Sequence, residues 1–310
     1  METYNNQKQK ILVTGGVGFI GSALIKRLVK EEHEVVCIDD YSSGTKDNEI
    51  EGVTYYKNDI NLIDYTVTES ISHIFHLAAL SRIQPSFINP SKTFYSNTVG
   101  TEAVLEFARK NNCKVVYAGS SSKHHDPKIS PYANSKYLGE ELLKSYKEVY
   151  GLKAEIARFY NVYGPGELVD GEMAAVIGIW RKQMQDSKAL TIVGDGKQKR
   201  DFTHIDDIVD GLIKIMYSDN KHPDAWELGT GKNYSIETVA KWFNKELEYI
   251  PNQKGNYRET LRMNSDAIEY LGWEPKDRLK EYIQEVVEEY EYWRLPTYEE
   301  VQEREAKLLR

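Results

Sequence analysis

A short segment near the start of the chain constrains the fold most. An apolar run, a glycine-rich turn and the opening of an amphipathic helix follow one another over residues 11–21. The glycines satisfy two spacings at once, Gly16-x-Gly18-x-x-Gly21 and Gly15-x-x-Gly18-x-x-Gly21. Such glycines allow a tight turn and bring bare backbone close to a ligand, while the helix N-terminus provides N–H donors and a positive dipole end. The segment therefore predicts a strand, a turn and a helix that bind a dinucleotide pyrophosphate.

An acidic pair, Asp39 and Asp40, ends the next apolar run, Val35 to Ile38. A carboxylate at the tip of the second strand of such a unit accepts hydrogen bonds from the adenosine ribose hydroxyls and repels a 2′-phosphate. The strand, glycine turn, helix and acid lie within about 30 residues of one another, as this kind of binding unit requires. The sequence therefore predicts NAD rather than NADP as the cofactor.

Apolar, β-branched runs alternate with helical patterns through the first half of the chain. The predicted strands are Ile11 to Val13, Val35 to Ile38, Val53 to Tyr56, His73 to Leu77, Val115 to Ala118, Ala154 to Ala157 and Trp226 to Leu228. Strands separated by amphipathic helices predict an α/β fold with a doubly wound parallel (Rossmann) sheet. We expect an NAD-binding domain of residues 1–164 plus about 201–229, and a smaller substrate-binding lobe of about 165–200 plus 230–310 that ends in a charged amphipathic helix over residues 282–310.

The charge and composition argue against several classes of function. A net charge of −8 is not that of a chain with a basic footprint for nucleic acid. There is no run of about 18 apolar residues to span a membrane, and the first residues lack the features of a signal peptide, so we expect a cytoplasmic protein without a membrane partner. Two cysteines, Cys37 and Cys113, have neither disulfide-framework nor metal-ligand spacing, and we expect no metal site.

Tyr132 and Lys136 form a second informative motif, directly after Pro131. Proline favours the first turn of a helix, and the four-residue spacing places the phenol and the ammonium on one helix face. A neighbouring ammonium lowers the pKa of a phenol from about 10 toward the working pH. Three serines, residues 120–122, follow the fifth predicted strand, where parallel sheets bind their ligands. We therefore expect Tyr132 to act as a base beside a serine hydroxyl.

Further motifs follow in a fixed order. Together with those above they are Gly15-x-x-Gly18-x-x-Gly21, Asp39, Asp59-Ile60, His76-Leu77-Ala78-Ala79, Asn97, Ser120, Tyr132-x-x-x-Lys136, Arg158 to Pro165 and Arg200-Asp201-Phe202. From about Ile11 to Tyr282 the chain resembles the extended short-chain dehydrogenase/reductases. Within that family it is similar to the NAD-dependent nucleotide-sugar epimerases and dehydratases, and to UDP-galactose/UDP-glucose 4-epimerases in particular.

The resemblance implies a role for each matching position. Tyr132 would be the catalytic base, Lys136 would hold the nicotinamide ribose, and Ser120 would be the assisting catalytic hydroxyl. The cofactor would contact Gly15, Gly18, Phe19, Ile20, Gly21, Asp39, Asp40, Asp59, Ile60, Leu77, Ala78, Ala79, Asn97, Tyr132, Lys136 and Phe159. The nucleotide sugar would contact Ser121, Ser122, Asn161, Arg200 and Arg258.

The reaction that the resemblance implies is inversion at C4 of a nucleotide-activated hexose, a UDP-sugar, through a transient 4-keto sugar with retained NAD. A dehydratase, decarboxylase or keto-reductase acting on the same kind of substrate is the alternative, and a non-catalytic NAD- and nucleotide-sugar-binding protein is a third. Dehydratases and decarboxylases of the family carry acidic residues where this chain has Ser121 and Ser122, which favours the epimerase. By analogy, helices from about Ser91 to Lys110 and from Tyr132 to Tyr150 predict a homodimer.

Two departures from the family pattern concern the substrate side. Lys123-His124-His125 replaces the usual Val-Tyr-Gly, and the connection from Ser120 to Tyr132 is shortened. Substrate contact or catalysis is one interpretation of the two histidines, and we favour the other, that they are surface polar groups, because adjacent loop histidines are more often so. A family arginine that grips the diphosphate corresponds to Gln253, where Lys254 or Arg258 would substitute. A hexose, an N-acetylhexosamine and a hexuronic acid are all compatible with these motifs.

Overall fold

A parallel sheet is the centre of the computed structural model, which describes residues 8–293. The strands of this part are β1 (Lys10–Thr14), β2 (Glu34–Asp39), β3 (Thr54–Lys57), β4 (His73–His76), β5 (Lys114–Ser120), β6 (Ala154–Phe159), β7 (Val162–Tyr163), β8 (Leu190–Val193), β9 (Lys199–Asp201), β10 (Thr203–His204), β11 (Trp226–Leu228), β12 (Asn233–Ser235) and β13 (Leu247–Ile250). Seven of them form one sheet in the order β3-β2-β1-β4-β5-β6-β11, and every neighbouring pair is parallel. The predicted α/β fold with a doubly wound parallel sheet is confirmed.

Helices cover both faces of this sheet. The α-helices of the described residues, including three that pack outside this sheet, are α1 (Phe19–Lys30), α2 (Ile63–Thr66), α3 (Ile83–Ile88), α4 (Pro90–Phe94), α5 (Gly100–Asn111), α6 (Pro131–Tyr150), α7 (Val176–Gln185), α8 (Ile205–Tyr217), α9 (Ile236–Lys241), α10 (Asp266–Leu271) and α11 (Leu279–Trp293). A π-helical stretch, Tyr95–Val99, joins α4 to α5. None of the helices in this range is long and apolar enough to cross a membrane.

The alternation of side chains along β1 shows how the sheet separates two cores. Ile11 and Val13 point to one face and belong to the core built with α1 and α8, whereas Leu12 points to the other face and joins the core built with α5. Successive residues of a strand face opposite sides, and both sides of a sheet covered by helices must be apolar. This requirement explains why the strand segments are continuous apolar runs in the sequence.

The strand order places a crevice at the carboxyl ends of β1 and β4. The order reverses there, because β2 and β3 lie on one side of β1 while β4, β5 and β6 lie on the other. Connections on the two sides leave the sheet in opposite directions at such a switch point, so a ligand fits between them. The glycine turn after β1 and the serines after β5 both open toward this edge.

A third core lies outside the large sheet. It contains Trp180 and Met184 of α7, Val239 of α9 and Ile283 of α11, and two of the short two-stranded sheets, β13-β8 and β12-β9, adjoin these helices. Within the predicted lobe, however, Leu271 of α10 packs into the core of the large sheet. The predicted helix over residues 282–310 is present up to residue 293, and residues 294–310 lie outside the described part of the chain.

Candidate active site

A cavity of about 740 Å³ opens at the carboxyl edge of the sheet and collects most of the predicted site residues. Its size is that of a ligand pocket. Of the predicted residues, those that line it are Gly15, Gly18, Phe19, Ile20, Gly21, Asp39, Asp40, Asp59, Ile60, Leu77, Ala78, Ala79, Ser120, Ser121, Ser122, Tyr132, Lys136, Phe159, Asn161 and Arg200. Residues from five strand ends and from the later part of the chain therefore meet in one space.

The glycine turn forms a backbone cradle at one end of this cavity. Gly15 has φ +75°, and a Cβ there would lie 2.7 Å from the backbone nitrogen of Ala78. A Cβ on Gly21 would lie 2.1 Å from the carbonyl oxygen of Gly15. Gly18 is the N-cap of α1 and supplies no capping side chain, so N–H groups of the first helical turn face the cavity without a side-chain acceptor. These features fit the pyrophosphate of a dinucleotide.

Asp39 ends β2 and stands beside this cradle. Its carboxylate accepts hydrogen bonds from the backbone N–H groups of Val17 at 3.1 Å and Tyr41 at 2.8 Å. Burial raises the pKa of Asp39, and the two backbone donors act in the opposite direction. The side chain is thus held in one orientation at the strand tip, as ribose recognition requires. Asp40 is exposed and accepts a hydrogen bond from Ser42 N–H at 2.9 Å.

Ser120 and Tyr132 meet at the middle of the cavity. Ser120 ends β5, and its Oγ accepts hydrogen bonds from the Tyr132 hydroxyl at 3.2 Å and from the Ser122 hydroxyl at 2.9 Å. Tyr132 lies in the first turn of α6, whose N-cap Ser130 accepts a hydrogen bond from Ala133 N–H at 3.1 Å. The capped helix start and the strand end together hold two hydroxyls within hydrogen-bond distance of each other on the cavity wall.

The electrostatics of Tyr132 differ from the expectation. Lys136 Nζ donates to the carbonyl oxygen of Ala118 at 2.5 Å and lies 4.3 Å from the ring centroid of Tyr117, and burial lowers its pKa to about 8. Burial raises the pKa of Tyr132, whereas the hydrogen bond to Ser120 and the positive charge of Arg82 lower it. The predicted lowering by Lys136 is therefore not seen, because the ammonium is turned toward a backbone carbonyl.

A buried ionic network lies directly behind Ser120, and the sequence analysis did not predict it. Glu140 Oε1 accepts a hydrogen bond from Ser120 N–H at 3.3 Å, and Glu140 Oε2 accepts one from Arg158 Nη2 at 2.7 Å. Arg158 Nη1 also donates to Asp224 at 2.6 Å and Glu227 at 3.2 Å. The usable signal was the position of Glu140, four residues after Lys136 on the same helix face.

The unusual segment Lys123-His124-His125 does not line the cavity. Lys123 Nζ pairs with Glu141 at 2.6 Å, and His124 Nε2 lies 2.7 Å from Glu227 Oε1 in the buried network. His125 stacks on Tyr257, with ring centroids 4.0 Å apart and planes at 11°. These residues therefore join the end of β5 to the later part of the chain, which is more than the surface role expected for the histidines.

Two predicted contact residues lie outside the cavity. Asn97 is buried, and its side chain exchanges hydrogen bonds with the backbone of Leu80 at 2.7 and 2.9 Å, so it supports the cavity wall from behind. Arg258 is exposed and pairs with Asp195 at 2.9 Å. The structure thus places neither side chain where a direct ligand contact was expected.

The later part of the chain contributes polar groups to the opposite wall. Asn161 Nδ2 donates to the carbonyl oxygen of Asp201 at 2.7 Å and to Thr260 Oγ1 at 3.1 Å, which holds its strained backbone at φ +24°. Arg200 Nη1 donates to the carbonyl oxygen of Lys199 at 2.8 Å, and burial lowers the pKa of Arg200 to about 10. Arg200 is thus a partly desolvated cation suited to a diphosphate.

Four charged residues line the cavity without having been predicted: Lys92 and Glu172, which are exposed, and Arg82 and Glu167. Arg82 follows β4 and donates through Nε to the carbonyl oxygen of Met173 at 2.8 Å. Glu167 is buried, accepts a hydrogen bond from Tyr282 at 2.9 Å and pairs with Arg181 at 3.3 Å. Burial raises the pKa of Glu167 to about 7. No family motif of the sequence analysis includes Arg82 or Glu167.

Known proteins are similar to this chain in both sequence and fold. A protein of Methanocaldococcus jannaschii with the provisional name UDP-glucose 4-epimerase is 32% identical, over 89% of this chain and 97% of that protein. UDP-glucuronic acid decarboxylase 3 of Arabidopsis thaliana is 31% identical, over 91% of this chain and 89% of its own length. The crystal structure of the UDP-glucose 4-epimerase of Thermotoga maritima with UDP-glucose has a TM-score of 0.82 at 29% identity, over 91% of this chain and 99% of that chain.

The match to a family extends over the large sheet and its site. The model of the NAD dependent epimerase/dehydratase family covers residues 11–229, which include the glycine turn, the Ser120–Tyr132 pair, Lys136 and Arg200. The strand order, the cradle for a pyrophosphate and the acid at the tip of β2 agree with that match. The chain therefore belongs to the NAD-dependent epimerase/dehydratase family of enzymes.

Proposed function

We propose that this protein is an NAD-dependent 4-epimerase of a nucleotide-activated hexose, with a UDP-sugar as substrate. One observation carries the proposal. The Tyr132 hydroxyl meets Ser120 Oγ at 3.2 Å on the cavity wall, and the next two residues, Ser121 and Ser122, are neutral. Inversion at C4 needs one group that removes and returns a proton, whereas elimination of water needs an additional acid and base. Names of relatives at 29–32% identity include UDP-glucose 4-epimerases.

The protein residues move and hold protons in this mechanism. Tyr132 removes the proton from the C4 hydroxyl and later returns one to the same oxygen, while Ser120 binds that oxygen. NAD, when bound, supplies the redox chemistry at C4. The sugar then exists briefly as a 4-keto sugar, and its opposite face must be presented before reduction. Lys136 would bind the nicotinamide ribose, and the sugar would turn in the part of the cavity that Ser120 and Tyr132 line.

The remaining contacts are proposed by position. Gly15, Gly18, Phe19, Ile20 and Gly21 would contact the pyrophosphate, and Asp39 and Asp40 the adenosine ribose. The cavity residues proposed for the rest of NAD are Asp59, Ile60, Leu77, Ala78, Ala79 and Phe159. Those proposed for the nucleotide sugar are Ser121, Ser122, Asn161 and Arg200.

We also propose the division into an NAD-binding domain and a nucleotide-sugar lobe, and a homodimer. The separate core around Trp180 supports the lobe. Exposed apolar side chains on the two helical segments predicted to pair support the dimer: Tyr95 and Val99 before α5, and Leu138 and Val149 on α6. Apolar side chains on one face are typical of a surface that another subunit covers.

The test is to incubate the purified protein and NAD with UDP- and GDP-linked hexoses, hexosamines and hexuronic acids, and to identify products by NMR and mass spectrometry. We expect an isomer of equal mass with inverted C4. Tyr132→Phe should lower kcat by about 10²- to 10⁴-fold, since it removes the proton-transfer group. Tyr137→Phe, on the same helix and with its ring 4.0 Å from Lys123 Nζ, is the matched control and should retain activity.

A decarboxylase is the second candidate, because UDP-glucuronic acid decarboxylase 3 is 31% identical and Glu167 provides a carboxyl group in the cavity. Loss of carbon dioxide from a hexuronic acid would establish that reaction in place of epimerisation. Loss of water would instead establish a dehydratase. Absence of turnover with every donor, together with retained NAD binding, would favour a binding protein.

A further inference from the structure

Arg82 is a cation in the cavity without an acidic partner. Its Nε donates to the carbonyl oxygen of Met173 at 2.8 Å and its Nη1 to the carbonyl oxygen of Ser81 at 3.2 Å. Among residues 8–293, no carboxylate lies within 4.0 Å of its guanidinium, and its Nη2 makes no hydrogen bond. Two carbonyl oxygens orient this half-buried side chain but leave its charge uncompensated. An anion in the cavity would supply the missing counter-charge.

Arg200 is a second arginine of the cavity wall. The positive charge of Arg200 acts on Tyr257 and His125, whereas that of Arg82 acts on Tyr132. The electrostatic effect of a charge falls off with distance, so each arginine lies near the groups whose pKa it changes. Arg82 is thus the cavity arginine whose charge reaches the end where Tyr132 meets the sugar, and Arg200 keeps the diphosphate role proposed above.

Glu167 provides a second polar atom at this end. Its Oε1 accepts the hydrogen bonds from Tyr282 and Arg181, whereas its buried Oε2 has no hydrogen-bond partner. The charges of Glu167 and Arg82 also act on each other. Burial favours the neutral carboxyl form of Glu167, which can donate a hydrogen bond from Oε2. Oε2 is therefore the atom of Glu167 that has a hydrogen bond still to make.

We propose that Arg82, together with Glu167, binds the C6 carboxylate of a nucleotide-activated hexuronic acid. This inference rests on the proposed function, because it places the C4 carbon of the sugar at Tyr132 and its C6 substituent beside Arg82. The planar guanidinium matches a carboxylate through two parallel hydrogen bonds. A neutral hydroxymethyl group at C6 would leave the charge of Arg82 uncompensated in a partly desolvated site. Arg82 is therefore the residue that selects the anionic sugar.

The test compares two substrates that differ only at C6, UDP-glucose and UDP-glucuronic acid, with wild type and Arg82→Gln. We expect wild type to prefer UDP-glucuronic acid. Arg82→Gln should lower kcat/KM for UDP-glucuronic acid by about 10- to 100-fold, the value of a hydrogen-bonded charged group. The same change also removes the charge that lowers the pKa of Tyr132 and so affects both substrates, but kcat/KM for UDP-glucose should fall by less, since the neutral C6 group loses no ionic partner. A change in the ratio of the two values is an effect that general damage to the fold does not produce.

Two matched variants complete the experiment. Arg27→Gln removes an arginine that pairs with Glu31 on the surface of α1, and it should leave the substrate ratio unchanged. Glu167→Gln retains a hydrogen-bond donor without charge, so it should reduce the preference for UDP-glucuronic acid over UDP-glucose by less than Glu167→Ala does. Glu167→Ala removes that donor and should lower kcat/KM for UDP-glucuronic acid more than kcat/KM for UDP-glucose.

Binding separates failure of this inference from failure of the proposed function. Calorimetry with the NAD-loaded protein measures the affinity for UDP-glucuronic acid and UDP-glucose whether or not either is converted. If Arg82→Gln selectively loses affinity for UDP-glucuronic acid while the wild type turns over neither sugar, the carboxylate site is supported and the epimerase is refuted. Equal losses for both sugars, or a wild type that prefers UDP-glucose, would overturn the role of Arg82 even if C4 epimerisation is observed.

Discussion

Replacing Arg158 with leucine tests the buried network behind the site. The guanidinium is 1% exposed and reaches Glu140 at 2.7 Å, Asp224 at 2.6 Å and Glu227 at 3.2 Å. In Arg158→Leu, Glu140 keeps only the Ser120 N–H as a donor, at 3.3 Å, and its buried charge loses its counter-ion. Removal of one partner of a buried ion pair costs about 3 to 5 kcal/mol. The midpoint of thermal unfolding of a chain of this length should therefore fall by about 5 to 8 °C.

The measurement is thermal and urea unfolding of the purified protein, with two comparison variants. Arg27→Leu, which breaks a surface pair with Glu31, should cost less than about 1 kcal/mol. The double variant Arg158→Leu/Glu140→Leu should be more stable than Arg158→Leu alone, because it removes the uncompensated charge as well. A single variant as stable as Arg27→Leu, or a double variant that loses the sum of both changes, would refute the reasoning.

Three further predictions follow from other parts of the molecule. Burial lowers the pKa of Lys136 from 10.5 to about 8, so Lys136→Met should abolish activity yet stabilise the ligand-free protein at pH 7 by about 1 to 3 kcal/mol. This gain in the free energy of unfolding should shrink between pH 8 and 10.5, because the wild-type amine becomes neutral in the folded state. A gain that stays constant across that pH range would contradict the prediction. Gly21→Ala should reduce the affinity for NAD, measured by calorimetry, more than about tenfold, since its Cβ would lie 2.1 Å from the carbonyl oxygen of Gly15. Unchanged NAD binding at an unchanged unfolding midpoint would show that the turn adjusts freely. Val99→Glu should convert the dimer to a monomer, whereas Tyr65→Glu on α2 should leave it a dimer, as measured by size-exclusion chromatography with light scattering. A monomeric wild type would rule out the proposed pairing.

Most of the large sheet could be predicted from local pattern. Runs such as Val35 to Ile38 are apolar because both sheet faces are covered, and glycines at positions 15 and 21 are required where backbone meets backbone. These are short-range requirements that each residue satisfies with its near neighbours. The motif residues Tyr132 and Ser120 were predictable for a related reason, since a helix start and a strand end place them at the same edge of the sheet.

The surroundings of the site were less predictable. Asn97 and Arg258 were expected to contact ligands by their resemblance to family positions. Asn97 instead supports the cavity wall from behind, and Arg258 pairs with Asp195. Arg82 and Glu167 line the cavity although no spacing in the sequence connects them. Their relation depends on how the segment after β4 meets the segment around Met173, a contact across 91 residues of chain.

The sequence by itself determined the order of strands and helices along the chain, the glycine turn, the acid at the tip of β2 and the Ser120–Tyr132 pair to which we assign proton transfer, because periodicity and local spacing specify them. Only the tertiary structure decided the charge environment of that pair. Whether Lys136 or Arg82 acts on Tyr132, and whether Glu167 is neutral, depends on burial and on contacts between distant segments. Electrostatic effects follow distance and desolvation rather than sequence separation, and these are settled when the chain folds.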